Sequence, residues 1–408
     1  MSRYVLVGGG VATAATATGL RAAGFAGEIV LVSGEPHLPY ERPPLSKEYL
    51  AGTFGRGDFQ ANPDGWAADN DIELVLGTRA QALDPGLRRL SLSDGSTLTY
   101  DALVLGTGVR ARTLPGFEGD RVHVVRTIAD SERLAERLVP GRHLAILGAG
   151  FIGCEVAAVA AAKGVRVTVF EPEALPLARV VGPEVGHAML DVHGEQGVVI
   201  RTGELVTGMS ETPSGVELRT RDGEVVECDD VLVGVGSVPN TELAVEAGLD
   251  VDGGILADEH GRTSAPDVYA VGDVASRLHH GRHVRVEHHD TAVRHGAALA
   301  RTLLGESEPW TGEHYFWSHQ YEHNVQSLGR LGGQTVLRGS LEERSFTVFS
   351  LADGRITGMV ALNRPRDLLQ TRKVLAVPHE VTAAQLADED FALKGLLPQR
   401  PRRSEVRA

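Results

Sequence analysis

Apolar and polar positions along this chain fall into blocks, and one order of blocks occurs twice. The run Tyr4–Val7 in "YVLVGGGVATA" is short and apolar, and it gives way to glycine and then to an alanine-rich stretch. The run Leu144–Leu147, which leads into "AILGAGFIGCE" (145–155), has the same sequel. A short apolar run bounded by glycine reads as a buried strand, and the alanine-rich continuation reads as a helix. Further runs of the strand kind lie in "EIVLVSGE" (28–35), "YDALVLGTGVRARTLPG" (100–116), "VRVTVFE" (165–171) and "TSAPDVYAVGDVA" (263–275). Strands in this order with helices predict an α/β protein with two Rossmann-like units. No apolar run is long enough to cross a membrane. The N-terminus enters a strand without the basic, apolar and small-residue succession of a signal sequence. The expectation is a cytoplasmic protein without a membrane partner.

The glycines give the repeated block its chemistry. Gly8 permits the tight turn, and Gly10 lets the backbone approach a pyrophosphate resting on amides at the helix N-terminus. The third glycine position holds Thr13, whose side chain is expected to loosen the contact between helix and strand. The second copy is complete, with Gly148, Gly150 and Gly153. An acid that receives a ribose hydroxyl is expected at the end of the next strand, where Glu35 and Glu171 stand. A carboxylate there repels the 2′-phosphate of NADP, and "EPEALP" (171–176) offers no arginine to that phosphate, so Glu171 predicts NADH. Gly272-Asp273 ends another predicted strand, where the aspartate can accept from a ribitol hydroxyl or cap a helix.

Composition narrows the choice further. The chain has 408 residues, 42% of them hydrophobic, which suits two or three domains with cores of their own. Forty basic against fifty-four acidic side chains give a formal charge of -14, which argues against a nucleic-acid partner. The two cysteines, Cys154 and Cys228, form no Cys-x-x-Cys, so a local dithiol relay is excluded.

At "PHLPYERPPLSKEYL" (36–50) the sequence resembles the FAD-dependent NADH:ferredoxin reductases of the putidaredoxin reductase, rubredoxin reductase and aromatic-ring dioxygenase reductase type, with the apoptosis-inducing factor a distant relative. The resemblance continues through "YFWSHQYEHNVQSLG" (315–329) and "ALNRP" (361–365). It implies a glutathione-reductase-like fold. FAD would sit in a discontinuous domain (1–112 and 241–313), NADH in an inserted one (113–240), and an α+β domain would follow from 314 to 408. The implied FAD contacts are Gly8, Gly10, Ala12, Glu35, Arg42, Lys47, Ala80, Thr107, Gly108, Arg126, Gly272 and Asp273, with Glu287, His288 and His289 at a helix start facing the flavin and Trp317 close to its ring. The implied NADH contacts are Gly148, Gly150, Phe151, Ile152, Gly153, Glu171 and Gly236. Lys47 and Glu155 would form an ion pair beside the flavin and nicotinamide, and with Trp317 they are the implied catalytic residues. A cation there stabilises negative charge arriving on the ring.

Several positions depart from that pattern. Gly34 stands where relatives carry the ribose acid, Cys154 replaces a leucine, His319 replaces an aspartate, and "RVEHHD" (285–290) is more like the apoptosis-inducing factor. The histidines of "HHGRHVRVEHH" (279–289) suggest a metal at first sight, but their spacing offers no ligand set and none is expected. Electrons would leave singly to a [2Fe-2S] ferredoxin, less readily a rubredoxin, serving a cytochrome P450 or other oxygenase. Arg42, Arg364, Arg366, Arg372 and Lys373 could supply a basic docking face. A monomer or weak dimer is expected, and "RPRR" (400–403) is read as a mobile tail. The alternatives are an NADH oxidase or quinone reductase without protein acceptor, and an NADH-responsive binding protein like the apoptosis-inducing factor.

Overall fold

A computed structural model describes residues 1–306 and 308–398. The "RPRR" stretch lies outside the described residues. The apolar runs become the strands of two five-stranded parallel sheets. The first has the order Val268–Ala270, Ala102–Leu105, Arg3–Val7, Glu28–Ser33, Ile72–Leu76. The second has the order Val199–Thr202, Arg166–Glu171, His143–Leu147, Asp230–Val233, Val122–His123. Both sheets are covered on both faces, which is why Ala102–Leu105 and His143–Leu147 are buried at every position instead of at alternate ones. The polypeptide passes between the two sheets twice, and the passing segments Val109–Ala111 and Ser237–Pro239 pair antiparallel.

The helix Val11–Ala22, which follows the first glycine loop, is alanine-rich for a reason beyond propensity. It lies against the helix His289–Leu303, which returns from the far end of the chain. A Cβ on Gly296 would stand 2.2 Å from the Ala12 carbonyl oxygen, and one on Gly19 would stand 2.7 Å from Ala300 Cβ. Such an approach tolerates only small residues, and it brings the first turn of each helix to the same place.

From residue 315 onward the strands Tyr315–Gln320, His323–Gly329, Arg355–Leu362, Ser345–Ala352 and Gln334–Ser340 form an antiparallel sheet in that order. The helix Pro365–Leu375 packs on it. The strand Tyr315–Gln320 also touches the helix Phe151–Ala162. That helix is buried on nearly every side, with Gly153, Cys154, Glu155, Val156, Ala157, Ala158 and Ala160 all inside, so Glu155 is an acid in an otherwise apolar position.

Candidate functional site

A cleft opens where the first glycine loop, the segment 40–47, the start of helix Phe151–Ala162 and the strand Tyr315–Gln320 converge. At one end the amides of Val11 and Ala12 lie at a helix start that carries no side-chain cap and no acid in its first turn. Those amides are unsatisfied donors at the positive end of the helix. A Cβ on Gly10 would meet no protein atom within 4 Å, because it would point into the open cleft. A Cβ on Gly8 would instead meet the Gly106 carbonyl oxygen at 2.1 Å, so Gly8 holds the loop against the end of the neighbouring strand Ala102–Leu105.

Thr13 does more than the sequence led us to expect. Its hydroxyl donates to the Gly8 carbonyl at 2.7 Å and approaches that of Gly10 at 3.0 Å, so the side chain ties the loop to the helix. At the equivalent position of the second loop a side chain is impossible, since a Cβ on Gly153 would stand 2.1 Å from the Gly148 carbonyl oxygen.

Two guanidinium groups form the next part of the wall. Arg42 donates to Glu35 at 2.8 Å, to the Tyr40 hydroxyl at 2.8 Å and to the Arg126 carbonyl at 2.7 Å. Arg126 donates to the Val109 carbonyl at 2.9 Å and to Asp273 at 3.3 Å. Burial, with the neighbouring charge of Arg42, pushes the Arg126 guanidinium below its usual value. Burial also works against the charge of Arg42, but Tyr40 and Glu35 outweigh it. Glu35 is held below the usual carboxylate range because Arg42 overcomes the effect of its burial. Two cations of this kind, beside free helix amides, suit a pyrophosphate, whose oxygens would relieve their mutual repulsion.

At the other end stand Lys47 and Glu155. Lys47 Nζ donates to Glu155 Oε2 at 2.8 Å, and their side chains are only 11% and 4% exposed. Two hydroxyls that sequence reasoning missed complete the carboxylate's surroundings, Ser46 at 2.5 Å on Oε2 and Ser318 at 2.6 Å on Oε1. Trp317 lines the cleft nearby, edge-on to His289 and stacked on Tyr315, whose other neighbour is the guanidinium of Arg372 at 4.4 Å.

The structure thus brings Gly10, Ala12, Arg42, Lys47, Thr107, Gly108, Arg126, Phe151, Ile152, Glu155, Gly272, Asp273, Glu287, His288, His289 and Trp317 onto one cleft. Burial keeps the His288 imidazole below its ordinary value, so that ring is neutral at neutral pH. Glu287 accepts from Ser237 and Arg285. Gly8 and Glu35 stand just behind the wall, and Ala80 begins a strand of a separate small sheet. Gly148, Gly150, Gly153, Glu171 and Gly236 belong to the second loop and its surroundings. There Glu171 accepts from the amides of Ala149 at 2.7 Å and Glu173 at 2.9 Å. Phe151 and Ile152, at the uncapped start of the second helix, connect that loop to the cleft.

Residues 2–296 match the family model described as pyridine nucleotide-disulphide oxidoreductase, and residues 315–397 match one described as reductase C-terminal. The chain belongs to the pyridine nucleotide-disulphide oxidoreductase family. Among its relatives, the anthranilate 1,2-dioxygenase system ferredoxin–NAD(+) reductase component of Burkholderia cepacia is 40% identical over 401 residues, 97% of this chain and 99% of that protein. Rhodocoxin reductase of Rhodococcus erythropolis is 39% identical over 399 residues, covering 96% and 93%. The reductase in the crystal structure of a covalent putidaredoxin reductase–putidaredoxin complex superposes with a TM-score of 0.93 at 35% identity, covering 97% of this chain and 98% of that one.

Unlike the family's name, the chain holds no disulphide. Cys154 and Cys228 are both free and buried, and burial raises the thiol of Cys154 and pushes that of Cys228 up to about 12. Neither is a thiolate at neutral pH, so neither is an attacking group. Among the described residues no three histidine, cysteine, aspartate or glutamate side chains converge as a metal site, and no helix is long and apolar enough to cross a membrane.

Proposed function

We propose that this chain is an FAD-dependent NADH:ferredoxin reductase that passes electrons to a [2Fe-2S] ferredoxin serving a cytochrome P450 or another oxygenase. The observation that carries the reading is the single cleft that begins at a dinucleotide loop with two guanidinium groups and ends at the buried Lys47–Glu155 pair beside Trp317. Bound FAD would accept a hydride from NADH and give up its electrons one at a time. The residues of this chain do the rest. Gly10, Ala12 and the amides of the first helix, with Arg42 and Arg126, hold the pyrophosphate, and Asp273 holds the ribitol. Glu287, His288 and His289 face the ring from the start of helix His289–Leu303. Lys47 offers a cation beside the ring, and Glu155 holds that cation in place. Gly148, Gly150, Gly153 and Glu171 hold NADH, with Phe151 and Ile152 between the two nucleotides. Two buried, protonated thiols support an external acceptor.

Sheet membership supports the division into an FAD domain of 1–112 and 241–313 and an NADH domain of 113–240, with a C-terminal domain from 314. A cytoplasmic place of action fits the pyridine nucleotide consumed. The test is an absorption spectrum of the purified protein followed by anaerobic titration with NADH. A yellow protein bleached by one equivalent of NADH, then reoxidised faster by ferredoxin than by oxygen, is expected. A colourless chain that retains no added flavin removes the proposal, and oxygen matching ferredoxin in rate replaces it with an oxidase.

A further inference from the structure

The Glu155 carboxylate is served from two sides. Ser46 and Lys47 come from the cleft, but Ser318 comes from the C-terminal sheet, and behind it the hydrogen bonds continue. Ser318 stands 3.1 Å from Gln320 Nε2, Gln320 Oε1 stands 2.9 Å from His193 Nε2, and His193 Nδ1 stands 3.1 Å from the Tyr321 hydroxyl. Ser318 and His193 are fully buried, and Gln320 is 1% exposed. His193 belongs to the helix Pro183–Glu195 of the second nucleotide unit, whereas Gln320 and Tyr321 form the tip of a hairpin in the C-terminal sheet.

The direction of every bond in this chain follows from its end. A carboxylate has no proton to give, so the single hydroxyl proton of Ser318 is spent on Glu155, and Ser318 accepts from the amide of Gln320. That leaves the Gln320 carbonyl facing His193. A carbonyl only accepts, so His193 Nε2 carries a proton. Burial holds the His193 imidazole below its ordinary value, which leaves the ring neutral and Nδ1 bare, and the Tyr321 hydroxyl donates to it. All four donors therefore point toward Glu155. Turning the Gln320 amide over would set two acceptors against each other at Ser318, whose proton is already spent on Glu155.

We propose that His193 is a positioning residue. Its Nε2–H tautomer sets the donor direction of the chain from Tyr321 to Ser318, and that chain holds the Glu155 carboxylate where it keeps Lys47 beside the cleft. The inference rests on the roles given above to Lys47 and Glu155. It also gives the contact between the second nucleotide unit and the C-terminal sheet a function at the reacting end of the cleft, through side chains distant in sequence.

Two measurements test it. In the flavin-loaded and flavin-free protein, nitrogen-15 spectra of labelled histidine should show His193 as a neutral ring protonated at Nε2 across the neutral range. A ring protonated at Nδ1, or a charged ring, overturns the assignment. In stopped-flow experiments His193→Met, similar in bulk but without a donor, should slow flavin reduction by ~10–100-fold, the range that a small misplacement costs, with the NADH dissociation constant unchanged. His193→Gln, whose amide can still donate to Gln320, should recover most of that rate. Wild-type reduction by His193→Met, or no recovery by His193→Gln, overturns the proposal. Glu155→Gln measured alongside separates the two levels. If it is slow while His193→Met is normal, only the positioning role falls. If Glu155→Gln itself is normal, the role of Glu155 falls, and the catalytic consequence of the chain goes with it.

Discussion

The Glu155 side chain is only 4% exposed and has one cation within reach, so the pair with Lys47 is a matter of stability as well as chemistry. Removing one member of a buried pair commonly costs about 3–5 kcal/mol, because the other is left without compensation. The open side of the cleft lets water reach the gap, and two serine hydroxyls remain, which reduces that cost here. Lys47→Ala is expected to fold with a lowered melting temperature and to slow flavin reduction at least about ten-fold in stopped-flow traces. Reduction at the normal rate would remove Lys47 from the reacting machinery. Glu171 serves its own loop through the amides of Ala149 and Glu173 and leaves lone pairs for a ribose. Glu171→Ala should lower the ratio of NADH to NADPH efficiency by roughly ten-fold, about 1.4 kcal/mol; an unchanged ratio contradicts the assignment. The sequence made Gly148, Gly150, Gly153 and Glu171 legible because strand, turn, helix and next strand lie in one local unit. Ser46 and Ser318 were illegible for the opposite reason. They meet Glu155 across 109 and 163 residues, and a serine in a loop or strand carries no signal of such a meeting.

The helix Pro365–Leu375 shows how an element sorts charges that the sequence presents as equals. Its N-cap Arg364 pairs with Asp367 at 3.0 Å and with Glu389 at 2.7 Å, and Asp367 is buried and also bonded to Thr347. Arg364 is thus a structural cation, contrary to the expectation that it serves a docking face. Arg366 and Lys373 are exposed, and with the 61% exposed Leu369 they follow the spacing of one helix face. Arg372 covers Tyr315, which stacks on Trp317 at the cleft, so this helix ends beside the reacting region. Neutralising Arg366 and Lys373 should raise the apparent KM for ferredoxin about 3- to 10-fold at low salt and leave ferricyanide reduction intact. Arg364→Ala should instead lower the melting temperature and affect both acceptors alike. Equal losses with both acceptors in the Arg366/Lys373 variant would take docking away from this helix. Arg42, the fifth basic residue considered for docking, is likewise committed, to Glu35 and Tyr40 in the cleft wall. Apolar runs and glycine sufficed for the parallel sheets at this scale, because strands buried on both faces have a continuous apolar signature. They could not foretell the pairing of Val109–Ala111 with Ser237–Pro239, two short segments whose partner is set by the path of the whole chain.

For the whole molecule, acid sensitivity should come from histidines that do not line the cleft. His279, His295 and His314 cluster around Arg277, which is 4% exposed, lies over Trp310, and bonds to the Trp310 carbonyl and to His279. Burial, reinforced by Arg277, pushes His279 down to about 4, His295 to about 3 and His314 to about 4. The other groups acting on them are Arg330, His280 and His288, which oppose protonation as well. In the unfolded chain these imidazoles titrate near 6.5, so between that value and 3 to 4 the unfolded state binds more protons than the folded one. Their contribution is therefore fully present above about pH 6.5 and is lost as the pH falls, by at most about 1.4 kcal/mol per pH unit for each ring. The carboxylates held low by ion pairs, Glu35 and Asp230 among them, add losses of the same sign, but only as the pH approaches the ordinary carboxylate range. Denaturant midpoints should accordingly fall between pH 7 and about pH 5, before any carboxylate contributes appreciably. His295→Phe keeps an apolar ring in the same pocket without a titrating group, and it should flatten that limb by close to one proton. A stability that is level from pH 7 to about pH 5, or a limb that His295→Phe leaves unchanged, would show that these rings are not the groups that sense acid.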